Sequence, residues 1–90
     1  MKLKHQFVVR QVAGEYVAVP FGKSSQELSA MIQLNETGAA IFEILNKGET
    51  TREVIVAVLQ ERYPIDEATA AMAVDAVLEQ LRSSELLDEN

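Results

Sequence analysis

The stretch Leu28-Ser29-Ala30-Met31-Ile32-Gln33-Leu34 runs directly into Asn35-Glu36-Thr37-Gly38-Ala39-Ala40-Ile41-Phe42-Glu43-Ile44-Leu45, and the repeat of its apolar residues changes at Asn35. Before Asn35 the period is two. Leu28, Ala30, Ile32 and Leu34 share one face and Ser29, Met31 and Gln33 the other, which is the pattern of a strand. After it, Ala39, Ile41, Phe42 and Leu45 recur at helical spacing. Asn35 is a good N-cap, because its side-chain oxygen accepts from an amide that the first turn leaves unpartnered. Lys47-Gly48 supplies a stop, so a strand over 28–34 and a helix over 36–46 are predicted back to back.

Outward toward the N-terminus, Gln6 to Val12 and Glu15 to Phe21 are rich in Val, Phe and Tyr and are separated by Ala13-Gly14. Gly14 can take the positive φ of a tight connection, so the two runs read as a β-hairpin. Phe7 and Val9 alternate with Val8 and Val12, which puts apolar groups on both faces and suggests a sheet covered at least partly on each side. The small, polar residues Gly22 to Glu27 read as a loop.

Toward the C-terminus, Thr50-Thr51-Arg52-Glu53 has the Thr-x-x-Glu form of a capping box, and Val54, Ile55, Val58 and Leu59 follow as a stripe. A second helix therefore runs to about Arg62, where Tyr63-Pro64 breaks it. Asp66 caps a third helix over about Glu67 to Ser84, with Ala70, Val74, Val77, Leu78 and Leu81 inward, and Leu86-Leu87 folds back to close the core. Three strands followed by three helices make one α+β domain over 1–90. A sheet built from a hairpin and one further strand has two edges, each with unpaired backbone groups.

The composition narrows the function. The chain has 90 residues, no Cys and no Trp, and is 48% hydrophobic and 24% charged, enough for one modest core. Without cysteine there is no disulfide framework, thiolate metal site or cysteine nucleophile, and a reducing cytoplasm fits best. No signal-peptide run or membrane-length apolar segment occurs, so no membrane role is expected. Eight Lys+Arg against 14 Asp+Glu give a formal charge of −6, the wrong sign for a chain that binds nucleic acid by neutralising phosphates. His5 is the only histidine, so no transition-metal site can be completed around it. Gly22, Gly38 and Gly48 are too scattered to cradle a phosphate. No nucleophile stands beside a base, and neither catalysis nor a cofactor is expected.

The segment Leu34-Asn35-Glu36-Thr37-Gly38-Ala39-Ala40-Ile41-Phe42 resembles the hallmark of the PqqD-like family, also called RiPP recognition elements: a strand ending in Leu-Asn, a small residue in the first helical turn, then an Ile-aromatic pair. The hairpin, the Gly48 to Val54 entry into the second helix, the Tyr63-Pro64 break and the closing Val74, Val77, Leu78, Leu81 and Leu86 fall in family order. One departure stands out: members often carry Gly before a closing apolar pair, where this chain has Ser83-Ser84-Glu85 before Leu86-Leu87. The resemblance implies a winged helix-turn-helix-like fold, a three-stranded antiparallel sheet followed by a three-helix bundle. It also implies a non-catalytic peptide chaperone for PQQ or other RiPP biosynthesis. Such a chaperone binds the leader of a ribosomally made precursor peptide and presents it to a modifying enzyme, often a radical SAM maturase.

In that family the leader adds as a strand beside the third strand and lies against the third helix, so the resemblance assigns the ladder to Leu28, Ser29, Ala30, Met31, Ile32, Gln33 and Leu34. Strand addition suits this physics, since edge amides and carbonyls supply affinity and side-chain pockets supply specificity. On the third helix, a turn of about 100° per residue puts Ala71, Asp75 and Arg82 on one flank of the stripe, and that flank is expected to line the groove. Met72 and Ala76 point nearly opposite the stripe; an exposed Met is an adaptable peptide contact, though single exposed apolar residues are ordinary. Met31 either fills a gap between sheet and helix or lies under an apolar leader residue. Asp75 and Glu79 either meet a basic leader residue or serve solubility. Two other readings compete: a small winged-helix DNA-binding regulator, disfavoured by the acidic third helix, and a self-associating domain whose free edge pairs with a second copy as a homodimer.

Overall fold

The structure, a computed structural model, describes residues 1–23 and 31–89. Its elements are β1 (Lys2–Leu3), β2 (Phe7–Val12), β3 (Glu15–Pro20), β4 (Ile32–Leu34), α1 (Glu36–Asn46), α2 (Arg52–Arg62), α3 (Glu67–Ser83) and β5 (Leu87–Asp88). Strands β2, β3 and β4 form an antiparallel sheet in that order and three helices follow, so the α+β architecture read from the sequence is the one found. Ala13 (φ 53) and Gly14 (φ 82) make the hairpin connection, both in the left-handed region that matches the twist of the flanking strands.

Each helix starts at a side-chain oxygen. Asn35 caps α1 by accepting from the Gly38 amide at 2.7 Å, and Asp66 caps α3 by accepting from the Thr69 amide at 2.7 Å. For α2 the cap is Thr51, which accepts from the Val54 amide at 3.2 Å. The Thr50 to Glu53 capping box therefore does not form. Thr50 is engaged elsewhere, its amide donating to the Met1 carbonyl at 2.9 Å while its own carbonyl accepts from the terminal ammonium at 2.7 Å.

The core lies where the sheet meets the helices. Phe7 of β2 and Phe42 of α1 pack edge to face, 5.6 Å between ring centroids at 87°, each about 1% exposed. Ile41, Leu45, Ile55, Leu59, Val74, Leu78 and Leu81 fill the space around them. On the opposite face of the sheet Val8, Val17 and Val19 are half-buried and Val12 is exposed.

A second, two-stranded sheet was not expected: β1 pairs with β5, Lys2 with Asp88 and Leu3 with Leu87. Leu86 and Leu87 are buried, as the sequence suggests, but they do so by clasping the other end of the chain. The turn that delivers them is a Schellman motif. The Leu86 amide donates to the Leu81 carbonyl at 2.9 Å and the Glu85 amide to the Arg82 carbonyl at 3.0 Å. Glu85 takes the left-handed φ of 56 that glycine ordinarily supplies, so the departure from the family's Gly leaves the turn intact.

Candidate functional site

Strand β4 is flanked on one side by β3, with Ala18 opposite Ile32, Val17 opposite Gln33 and Tyr16 opposite Leu34. Among the described residues nothing pairs with its other side. Of the seven residues predicted for this strand, Leu28, Ser29 and Ala30 lie outside the described residues, and Met31 precedes β4 without pairing. Met31 is 69% exposed, so it fills no gap in the core. Alternation in β4 sends Leu34 into the core and Gln33 outward, where its amide donates to Glu15 Oε1 at 2.6 Å.

Beside the open edge a cleft of about 210 Å³ separates the end of β4 and the start of α1 from α3. Gln33, Leu34, Asn35, Thr37 and Gly38 line one wall, and Ala73, Ala76, Val77 and Gln80 the other. No lining side chain carries a formal charge. The Asn35 cap closes this wall, since Oδ1 also accepts from the Thr37 hydroxyl at 3.1 Å, and Gly38 leaves no room to spare: a Cβ there falls 3.0 Å from that oxygen.

On α3 the flank expected to line the groove is not the one that lines this cleft. Ala71, Asp75 and Arg82 share a flank as predicted, but it is turned toward α2 and the C-terminus. Ala71 lines a separate groove with Arg52, Val56 and Gln60. Asp75 accepts two bonds from the Arg52 guanidinium, at 2.6 and 3.0 Å. That hydrogen bond holds the Asp75 carboxyl below, and the Arg52 guanidinium above, its ordinary value. Arg82 donates to the Glu89 carboxylate at 3.0 to 3.1 Å, and Glu79 is exposed, 3.9 Å from Arg82. Met72 is 73% exposed. None of these residues lines the β4 cleft; the opposite flank does.

A wider hollow of about 610 Å³ opens at the same end of the sheet. It is lined by Gly14, Glu15, Tyr16 and Glu36 and shares Gln33, Leu34 and Asn35 with the cleft. Behind it stands Tyr63, whose hydroxyl is pushed above the ordinary phenol value, first by burial and then by the Glu36 carboxylate. Among the described residues no three His, Asp or Glu side chains come together as metal ligands, and no helix is long and apolar enough to cross a membrane.

An open strand edge beside a neutral cleft is suited to holding an extended peptide, and the comparisons agree in fold. A solved structure, "TbiB1 in Complex with the TbiA(beta) Leader Peptide", superposes with a TM-score of 0.70 at 23% identity, over 100% of this chain and 98% of that one. No curated protein matches the chain. The family described as Coenzyme PQQ synthesis protein D (PqqD) matches residues 10–87, nearly the whole of the described fold, and the chain belongs to that family.

Proposed function

We propose that this chain is a non-catalytic domain that binds the leader segment of a ribosomally made precursor peptide and holds it for a modifying enzyme, a radical SAM maturase of the cytoplasm. The observation that carries the reading is that, among the described residues, β4 is paired on one side only, next to the β4–α3 cleft. The leader enters as an extended strand, its backbone pairing with Ile32, Gln33 and Leu34 while alternate side chains enter the cleft between Asn35 and Ala76. Because such a segment is disordered when free, ordering it costs roughly 2 to 5 kcal/mol, which suits a complex that must release its cargo. TbiB1, the structural neighbour, was solved with a leader peptide, which supports the same role here.

An NMR titration tests it. The isotope-labelled domain is titrated with the N-terminal part of a short precursor encoded beside its gene. Saturable shifts are expected at Ile32 to Asn35 and Ala73 to Gln80. Saturable shifts confined to the α2–α3 groove, or none with any neighbouring precursor, overturn the assignment.

A further inference from the structure

Hydrogen bonds in an antiparallel sheet alternate, so one bonded pair fixes which way every other backbone group points. The Phe21 amide donates to the Gln6 carbonyl at 3.1 Å, which makes Gln6 and Phe21 a bonded pair of the hairpin. Counting in twos along the register, the bonded pairs of β2 and β3 are Val8 with Val19, Arg10 with Val17 and Val12 with Glu15, the last closing the tight turn. Glu15, Val17 and Val19 therefore turn their backbone groups to β2, and Tyr16 and Ala18 turn theirs to β4. Tyr16 pairs with Leu34 and Ala18 with Ile32, so the N–H and C=O of Ile32 and Leu34 are taken. Gln33 is the one residue of β4 whose N–H and C=O both face the open edge.

The same count puts the backbone groups of Phe7 on the outer side of β2, and there the Asn46 side-chain amide donates to the Phe7 carbonyl. That bond agrees with the count and closes the other edge of the sheet where it begins. On β4 the outward groups stop just past Gln33. Alternation passes the next place to Asn35, but its carbonyl accepts from the Ala39 amide at 2.9 Å, the first bond of α1. Its side-chain Oδ1 is held by the Gly38 amide and the Thr37 hydroxyl. A strand laid along β4 therefore finds no free acceptor at Asn35.

Resting on the leader-binding reading above, we infer that a single residue of β4 fixes the register of the leader. The Gln33 carbonyl takes one leader N–H and the Gln33 N–H gives to one leader carbonyl, whichever way the leader runs. The leader position that supplies that N–H cannot be proline, whereas its two neighbours, and the position whose N–H comes opposite Asn35, are free to be. The domain thus selects among leaders by main chain as well as by side chain. Gln33 does this through its own main chain, while its side chain is engaged with Glu15 at 2.6 Å.

The test follows individual backbone amides. Exchange with water is measured by NMR on the isotope-labelled domain, free and saturated with the N-terminal part of a short precursor encoded beside its gene. In the free domain Ile32 and Leu34 exchange slowly and Gln33 at about the rate of an open chain; with the leader bound, Gln33 slows by about tenfold or more. The leader is also N-methylated one position at a time and its affinity read by fluorescence anisotropy. The position bonded to Gln33 loses about tenfold, the scale of a carbonyl left without its donor, and its two neighbours lose less than about twofold. A Gln33 amide protected in the free domain overturns the inference and leaves the leader reading standing. So does one that stays unprotected while the leader saturates shifts at Ile32 to Asn35 and Ala73 to Gln80, or a scan with no sensitive position or with two adjacent ones. Failure of those shifts to appear with any neighbouring precursor overturns the leader reading and the inference with it.

Discussion

Replacing Gly38 by alanine sets two effects of similar size against each other, and the structure says which atom decides between them. The new Cβ falls 3.0 Å from Asn35 Oδ1, the oxygen that accepts the residue's own amide at 2.7 Å. That oxygen must withdraw, and the cap it forms contributes about 1 kcal/mol. Against this, alanine favours a helix over glycine by about 0.8 to 1 kcal/mol. In the intact protein Gly38→Ala is therefore nearly silent. In an Asn35→Ala background the cap is already lost and the remaining neighbours, Leu34 Cδ2 at 3.5 Å and Cβ at 3.6 Å, are ordinary contacts. There the same substitution stabilises by its full propensity. The coupling between the two positions is thus about 1 kcal/mol. With roughly 2.1 cal/mol/K of unfolding entropy per residue, a chain of 90 residues converts that into about 5 °C of melting temperature. Urea titration of the four proteins measures it, with thermal melts alongside. If the two single effects add to within about 0.3 kcal/mol, the cap and the close approach at Gly38 do not work as described.

Three further outcomes are expected. Glu85→Gly raises stability by about 0.5 to 1 kcal/mol in urea, because it releases a left-handed residue from the cost of its Cβ while keeping both Schellman bonds; a loss of stability refutes this. Phe42→Ala costs about 3 to 5 kcal/mol, since a fully buried ring and its edge-to-face partner Phe7 are both affected; a cost under about 2 kcal/mol, again in urea, sinks the account of the core. Asp66, Asp75 and Glu89 are held below their ordinary values by hydrogen bonds from Thr69, Arg52 and Arg82, so their stabilisation is full above the ordinary carboxylate range and is lost as the pH falls through and below it. Urea midpoints followed from neutrality into acid should fall, and should fall less in Asp66→Asn and Asp75→Asn; equal slopes in all three proteins contradict the assignment.

The fold was legible because its signals were local. The change of period at Asn35, the break at Pro64 and the caps at Asn35 and Asp66 each act within a few residues. The site was legible only to the level of its elements. Periodicity along α3 separates buried from exposed residues, yet Ala71 and Ala73 flank the buried stripe almost symmetrically. Which of them meets β4 depends on how the helix crosses the sheet. Ala73, Ala76 and Gln80 carry no charge or bulk that marks a binding wall, and Asn35 and Gly38 read as helix-start chemistry before they read as cleft lining. Strands β1 and β5 have two residues each, too few to show a period, and their pairing joins opposite ends of the sequence. At α2, two adjacent threonines offer the same capping chemistry, and the engagement of Thr50 with Met1 leaves the role to Thr51.

The β1–β5 clasp also sets the order in which a nascent chain can acquire its structure. The hairpin, α1 and the α2–α3 pair rest on contacts near in sequence, and they can form while translation continues. Lys2 and Leu3 have no strand partner until Asp88 and Leu87 have emerged, so the clasp is the last pairing to close and carries the largest loop-closure entropy. Leu3 is therefore exposed on the ribosome until Leu86 and Leu87 have been made and is buried only then, which makes it the part of the core that waits longest for protection from proteases and from neighbouring chains.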